Sequence, residues 1–207
     1  MTTRLLLVRH GQTAYNAEVR FMGQLDIPLD EIGRVQAQAV AKRLCLERPV
    51  ALYSSGLSRA YDTASAIQSA IPSRPELRID GRLTEGHFGE WQGKTYDSLK
   101  VKDTQRLAQW EADRLRVAPP GGETLPQMAE RVQAAYNDIC AENRDKTVIV
   151  IGHGGSLQVL IILALGLPLD AYWKLWVSNA SVSELRIAEW GAILHLLNDV
   201  SHLTATV

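Results

Sequence analysis

The stretch that decides the fold is LLLVRHGQTAYN, residues 5–16. Leu5, Leu6, Leu7 and Val8 form a short continuous apolar run, the pattern of a strand covered on both faces. Arg9 and His10 follow with no spacer, and Gly11 comes next. A strand that ends on a guanidinium and an imidazole delivers both groups to one edge of a sheet. That edge is where α/β sheets bind ligands.

Working outward, strands and helices alternate. Residues 30–46 read as a helix capped by Asp30, with Ile32, Val35, Ala39, Val40 and Leu44 as its inward stripe. VALYSS (50–55) is a second strand. Residues 57–70 form a helix with Ala60, Ala64 and Ile67 inward. Residues 124–142 form a long amphipathic helix with Leu125, Met128, Val132, Ala135, Ile139 and Cys140 on one side. TVIVIG (147–152) is a third buried strand, followed by a helix over 155–165. SVSELRIA and AILHLLN flank Trp190-Gly191 as a hairpin. This alternation predicts a three-layer α/β/α sandwich around a largely parallel central sheet. One domain over 1–207 is expected, with 81–122 as an excursion covering the active site.

Composition narrows the function classes. The 207 residues are 46% hydrophobic and 22% charged, with a formal net charge of −1. That composition suits a globular protein and supplies no bulk basic field for nucleic acid. No apolar run reaches the length of a membrane span, and the first residues lack a signal-peptide pattern, so a cytoplasmic location is expected. Cys45 and Cys140 read as buried thiols rather than a disulfide or zinc ligands. Three strand ends carry chemistry: Arg9-His10-Gly11, Ser54-Ser55 with Arg59 one turn into the next helix, and Gly152-His153-Gly154-Gly155. Two arginines, two histidines and two helix N-termini on one edge predict an anion site.

These residues resemble the histidine phosphatase superfamily, which contains the cofactor-dependent phosphoglycerate mutases and many small phosphatases. LLLVRHGQTAYN resembles its signature. FMGQLDIPLDEIG (21–33), LYSSGLSRAYDTA (52–64), LTEGHFGEWQG (83–93), PPGGETLPQM (119–128) and VIVIGHGGSL (148–157) follow in the family's order. The resemblance implies a phosphoglycerate mutase-like fold and a set of roles. His10 is the nucleophile. Arg9, Arg59 and His153 hold phosphate oxygens. Glu85 is proton donor and later base. Asn16 lines the phosphate pocket, Thr13 and Gly23 lie beside it, and the Gly154 backbone contributes. His202 resembles a C-terminal residue that faces substrate in some family phosphatases.

The chemistry fits those roles. Phosphoryl transfer needs a placed nucleophile and neutralised charge more than covalent work. Guanidiniums grip phosphate bidentately, and a neutral imidazole is a competent nucleophile. The expected activity is a metal-independent phosphomonoesterase acting on a small phosphorylated metabolite through phosphohistidine, without cofactor. Two other readings compete with it. A phosphoglycerate mutase needs an adjacent Arg pair in a longer insertion, and residues 94–118 have none. A non-catalytic phosphate sensor would be expected to have lost His10. His87 either reaches the pocket or closes a loop. His195, Trp110, Trp173, Trp176 and Trp190 read as structural. A homodimer stays open.

Overall fold

The computed structural model describes residues 2–203. Its sheet has six strands in the order β3-β2-β4-β1-β5-β6. The chain runs β1 (Thr3–Arg9), α1 (Ala14–Ala17), α2 (Glu31–Leu44), β2 (Ala51–Ser54), α3 (Ser58–Ala70) and β3 (Glu76–Ile79). It continues through α4 (Tyr96–Lys102), α5 (Thr104–Ala112), α6 (Leu125–Glu142), β4 (Thr147–Gly152), α7 (Gly154–Ala164), β5 (Val182–Ala188) and β6 (Gly191–Asp199). β1 to β4 are mutually parallel, and β5 and β6 add an antiparallel edge. The largely parallel sheet expected from the apolar runs is therefore present.

Alternation along the buried strands divides the core. Leu5, Leu7, Tyr53, Val148 and Val150 face α6 and α7. Leu6, Val8, Leu52, Ile149 and Ile151 face α2 and α3. Each such side chain contributes about 1.5–3 kcal/mol by leaving water. Residues 81–122 carry α4 and α5 and a third cluster, built on Trp91, Leu99, Leu107 and Trp110.

Some expectations are corrected. Asp30 does cap α2, its carboxylate accepting from Gly33 N at 2.7 Å. The inward face, however, is Gly33, Ala37, Val40, Ala41 and Leu44, while Ile32 and Val35 are exposed. The cause is a close approach of backbones. A Cβ on Gly33 would lie 2.0 Å from Gln12 O, so the helix seats its glycine against the loop after His10 and turns Ile32 outward. Cys45 and Cys140 are half-buried thiols, not fully buried ones, because Cys45 caps the end of α2 and Cys140 lies at the margin of α6. Trp110 is buried, but Trp173, Trp176 and Trp190 are 46%, 69% and 74% exposed. Trp190 sits in the β5–β6 turn.

Candidate active site

The carboxyl ends of β1, β2 and β4 meet, and each brings its residue. His10 follows β1 directly, and its backbone N donates to Gly152 O at the end of β4. His10 and His153 have ring centroids 5.0 Å apart, and each is essentially inaccessible to solvent. His10 Nδ1 lies 2.6 Å from Gly11 O. A carbonyl only accepts, so Nδ1 carries the proton and Nε2 keeps its lone pair. Burial lowers the His10 pKa well below the ordinary imidazole value, with Arg59 and Arg9 adding to the effect.

His153 is oriented from two sides. Arg59 Nε donates to its Nδ1 at 3.3 Å, and its Nε2 therefore donates to Ser55 Oγ at 2.7 Å. Burial lowers this imidazole too, followed by the effects of His10, Arg59 and Arg9. The His153 backbone N donates to Ser156 Oγ, which fixes the start of α7.

The two cations are held by neutral groups. Arg59, in the first turn of α3, donates to Leu25 O at 2.7 Å and Gly23 O at 2.8 Å. Burial pushes its guanidinium down to about 10. Arg9 donates through Nη1 to Val177 O at 2.7 Å. Burial lowers Arg9 as well, opposed by the charge of Glu85. Every hydrogen bond that these two guanidiniums make goes to a carbonyl or to His153. Both retain N–H groups and positive charge for an anion.

Glu85 reaches the edge from the excursion. Its carboxylate accepts from Gly86 N at 2.9 Å and from Gly155 N, in the first turn of α7, at 3.1 Å. Glycine at 155 leaves room for that carboxylate: a Cβ there would meet Glu85 Oε1 at 2.3 Å and the Tyr172 hydroxyl at 2.8 Å and displace both. Beside Gly86 is a cavity of about 50 Å³ lined by Phe88, Trp110, Arg114, Met128, Tyr172 and Trp173.

The structure thus brings Arg9, His10, Arg59, Glu85 and His153 together, with Gly23 and Gly154 against the two arginines. Thr13 and Asn16 form a reciprocal cap on α1. Asn16 Oδ1 also accepts from Asn179 Nδ2, which donates to His10 O and Gly11 O as well. His202 lies apart. Its Nε2 bonds to Ala180 O at 2.9 Å, and its charged neighbours are Arg43 and Asp199 rather than the five. His87 closes a loop through its backbone, which pairs with Glu123. Sequence reasoning missed Asn179, Tyr172, Gln24 and Gln92. Gln24 ties the segment between α1 and α2 to the Glu85 loop by donating to Glu85 O, and Gln92 accepts from Gln24 N. Gln24 and Gln92 lie inside the quoted motifs, so their place there was the available signal. Asn179 and Tyr172 lie in none of them.

Comparison with known proteins agrees with this geometry. The family model described as histidine phosphatase superfamily (branch 1) matches residues 5–200. A glucosyl-3-phosphoglycerate phosphatase of Mycolicibacterium vanbaalenii is 35% identical over 95% of this chain and 98% of its own. A metal-independent phosphoserine phosphatase of Arabidopsis thaliana is 36% identical, covering 98% of this chain and 84% of its own. The crystal structure of the α-ribazole phosphatase from Shigella flexneri superposes with a TM-score of 0.88 at 27% identity, covering 95% of this chain and 96% of that one. With its motifs in order, its strand ends converged and its whole length matched, the chain belongs to the histidine phosphatase superfamily, branch 1, and is a phosphatase of that family.

Proposed function

We propose that this phosphatase hydrolyses small phosphorylated metabolites through a phosphohistidine on His10, without a metal ion. The observation that carries the reading is the neutral, oriented imidazole of His10 beside two buried guanidiniums whose hydrogen bonds avoid carboxylates. In the first step His10 Nε2 attacks phosphorus and the bond to the ester oxygen breaks. Glu85, in its acid form, gives that oxygen a proton, and an alcohol leaves. In the second step water attacks phosphorus and the Glu85 carboxylate takes a proton from it. The P–N bond breaks and inorganic phosphate leaves. Arg9 and Arg59 balance the charge on the equatorial oxygens throughout, the task a divalent cation performs in many phosphoryl-transfer enzymes.

The substrate classes in view are those of the matched relatives: glucosyl-3-phosphoglycerate, phosphoserine and α-ribazole phosphate. The aromatic cavity beside Gly86 is where the alcohol portion would be discriminated.

Phosphoenzyme trapping tests the proposal. Alkaline quench during turnover of a labelled substrate is expected to leave acid-labile, alkali-stable label on the peptide containing VRHGQ, with turnover unchanged by EDTA. Label that survives acid, or activity abolished by chelator and restored by a divalent cation, would overturn it. Assaying 3- to 2-phosphoglycerate isomerisation in the same sample separates hydrolysis from mutase action. Isomerisation exceeding phosphate release more than about tenfold, 1.4 kcal/mol in barrier, would install the mutase.

A further inference from the structure

The loop carrying Glu85 is gripped from behind by two side chains that the proposed steps do not use. Arg131, on α6, donates through Nη1 to Arg82 O at 2.7 Å and to Thr84 O at 2.8 Å. Its Nη2 donates to Glu85 O at 3.0 Å and to Glu123 Oε1 at 2.6 Å, and its Nε to Glu123 Oε2 at 3.1 Å. Glu123 then reaches past Glu85. Its Oε1 accepts from His87 N at 2.9 Å, and its own backbone N donates to His87 O at 2.9 Å. The backbone on both sides of Glu85 is therefore tied to one ion pair.

Three features separate this pair from an ordinary surface salt bridge. The side chains are only 20% and 18% exposed, so water competes weakly. The arginine fork satisfies three nearby carbonyls at once, which an ammonium on a flexible stem cannot reproduce. The anchor is rigid: Met128 and Val132, flanking Arg131 on α6, are 3% and 0% exposed in the largest core cluster. At the other end, the Glu85 carboxylate spans from its own loop to the start of α7. A shift of about 1 Å in the loop would break that span and misplace the proton, an error that costs on the order of 10²-fold in catalysis.

We propose that Arg131 and Glu123 are a positioning pair that holds the Glu85 carboxyl at the leaving oxygen, coupling proton donation to the core helix α6. The proposal rests on Glu85 being the proton donor.

The test compares p-nitrophenyl phosphate, whose phenolate leaves without full protonation, with the best alkyl phosphate found for the enzyme. Arg131→Ala is expected to lose about 10²-fold in kcat on the alkyl phosphate and less than about fivefold on p-nitrophenyl phosphate, with KM little changed. Arg131→Lys should not restore the loss. Glu123→Ala should show the same skew between substrates, whereas Glu123→Gln, which keeps an acceptor for both Arg131 and His87 N, should retain most of the wild-type rate. In a Glu85→Gln background, adding Arg131→Ala should cost less than about threefold more, because the group it positions is already disabled. A folded Arg131→Ala protein that loses equally on both substrates, or whose effect multiplies fully with Glu85→Gln, overturns the proposal. If Arg131→Ala does not fold, Arg131→Lys and the double-variant comparison built on it decide by the same skew. Equal losses for Glu85→Gln alone on both substrates would instead overturn the proton-donor reading, and that result is read without Arg131.

Discussion

Arg4 and Arg9 stand five residues apart on the same strand and have opposite surroundings. Arg4, at the amino end of β1, donates to Glu47 at 2.5 and 3.1 Å and to Glu184 at 2.8 Å, and Glu184 also takes Arg186 at 2.8 Å. Those carboxylate bonds hold the Arg4 guanidinium above its ordinary range. Arg9, at the carboxyl end, has a carbonyl for its partner, and burial lowers it. Both leave Nε buried without a partner, so an orphaned N–H does not distinguish them. The partners do. A guanidinium that already has its carboxylates ties β1 to β5 and to the loop after α2, whereas one whose hydrogen bond goes to a carbonyl retains its attraction for an anion from outside.

The largest test of that contrast is Arg9→Ala. It should lose at least about 10³-fold in kcat/KM, some 4 kcal/mol, with a melting temperature unchanged or raised, since a buried charge without a hydrogen-bonded carboxylate has been removed. Steady-state kinetics and a thermal melt on one preparation check both halves. A fall in stability with activity intact would reverse the assignment of the two arginines.

A second test uses pH. His10 and His153 are both held neutral in the fold by burial. The unfolded chain gains protons on them below about 6.5, so it binds more protons than the native state there, and stability rises with pH. The stabilisation is complete above about pH 6.5 and is lost as pH falls toward the folded values. Its slope reaches about 1.4 kcal/mol per pH unit for each histidine. Denaturant melts between pH 7 and 5 should show the decline, and His153→Asn should remove close to half of the two-histidine slope. Inorganic phosphate should flatten it, because an anion favours the imidazolium forms. A slope indifferent to His153 would show that the site does not govern acid stability.

The smallest effect is the mirror image of the first. Arg4→Ala should cost about 1–2 kcal/mol of stability by uncoupling Glu47 and Glu184, while kcat/KM stays within about twofold. Chemical denaturation with linear extrapolation measures it.

Among the parallel strands, the legible ones were those buried on both faces, while the amphipathic helices and the β5–β6 hairpin were legible from their periodicity and turn residues. β1, β2 and β4 are continuous apolar runs, and each ends inside a quoted motif. β3 was missed because ELRI has no fully buried residue and its polar–apolar alternation lasts only four residues, too short to stand out. α4 and α5 were missed inside the excursion because each buries only one or two side chains. For the site, the strand-end residues were readable and the residues that orient them were not. Arg131 reads as one more charge on an amphipathic helix, and Glu123 as a loop carboxylate. Their pairing across eight positions depends on how α6 is set against the loop, which no local pattern encodes.

The aromatic cluster of Trp91, Leu99, Leu107 and Trp110 shares no buried residue with either face of the sheet. It stabilises the excursion and ties it to Phe21 and Trp173 outside it. In evolutionary terms, that separates two rates of change. Substitutions among Phe88, Trp110 and Trp173 alter the cavity where the alcohol would sit, yet leave the packing beneath Arg9, His10 and His153 intact. Copies of such a gene can diverge in the esters they accept while inheriting one unchanged way of breaking them.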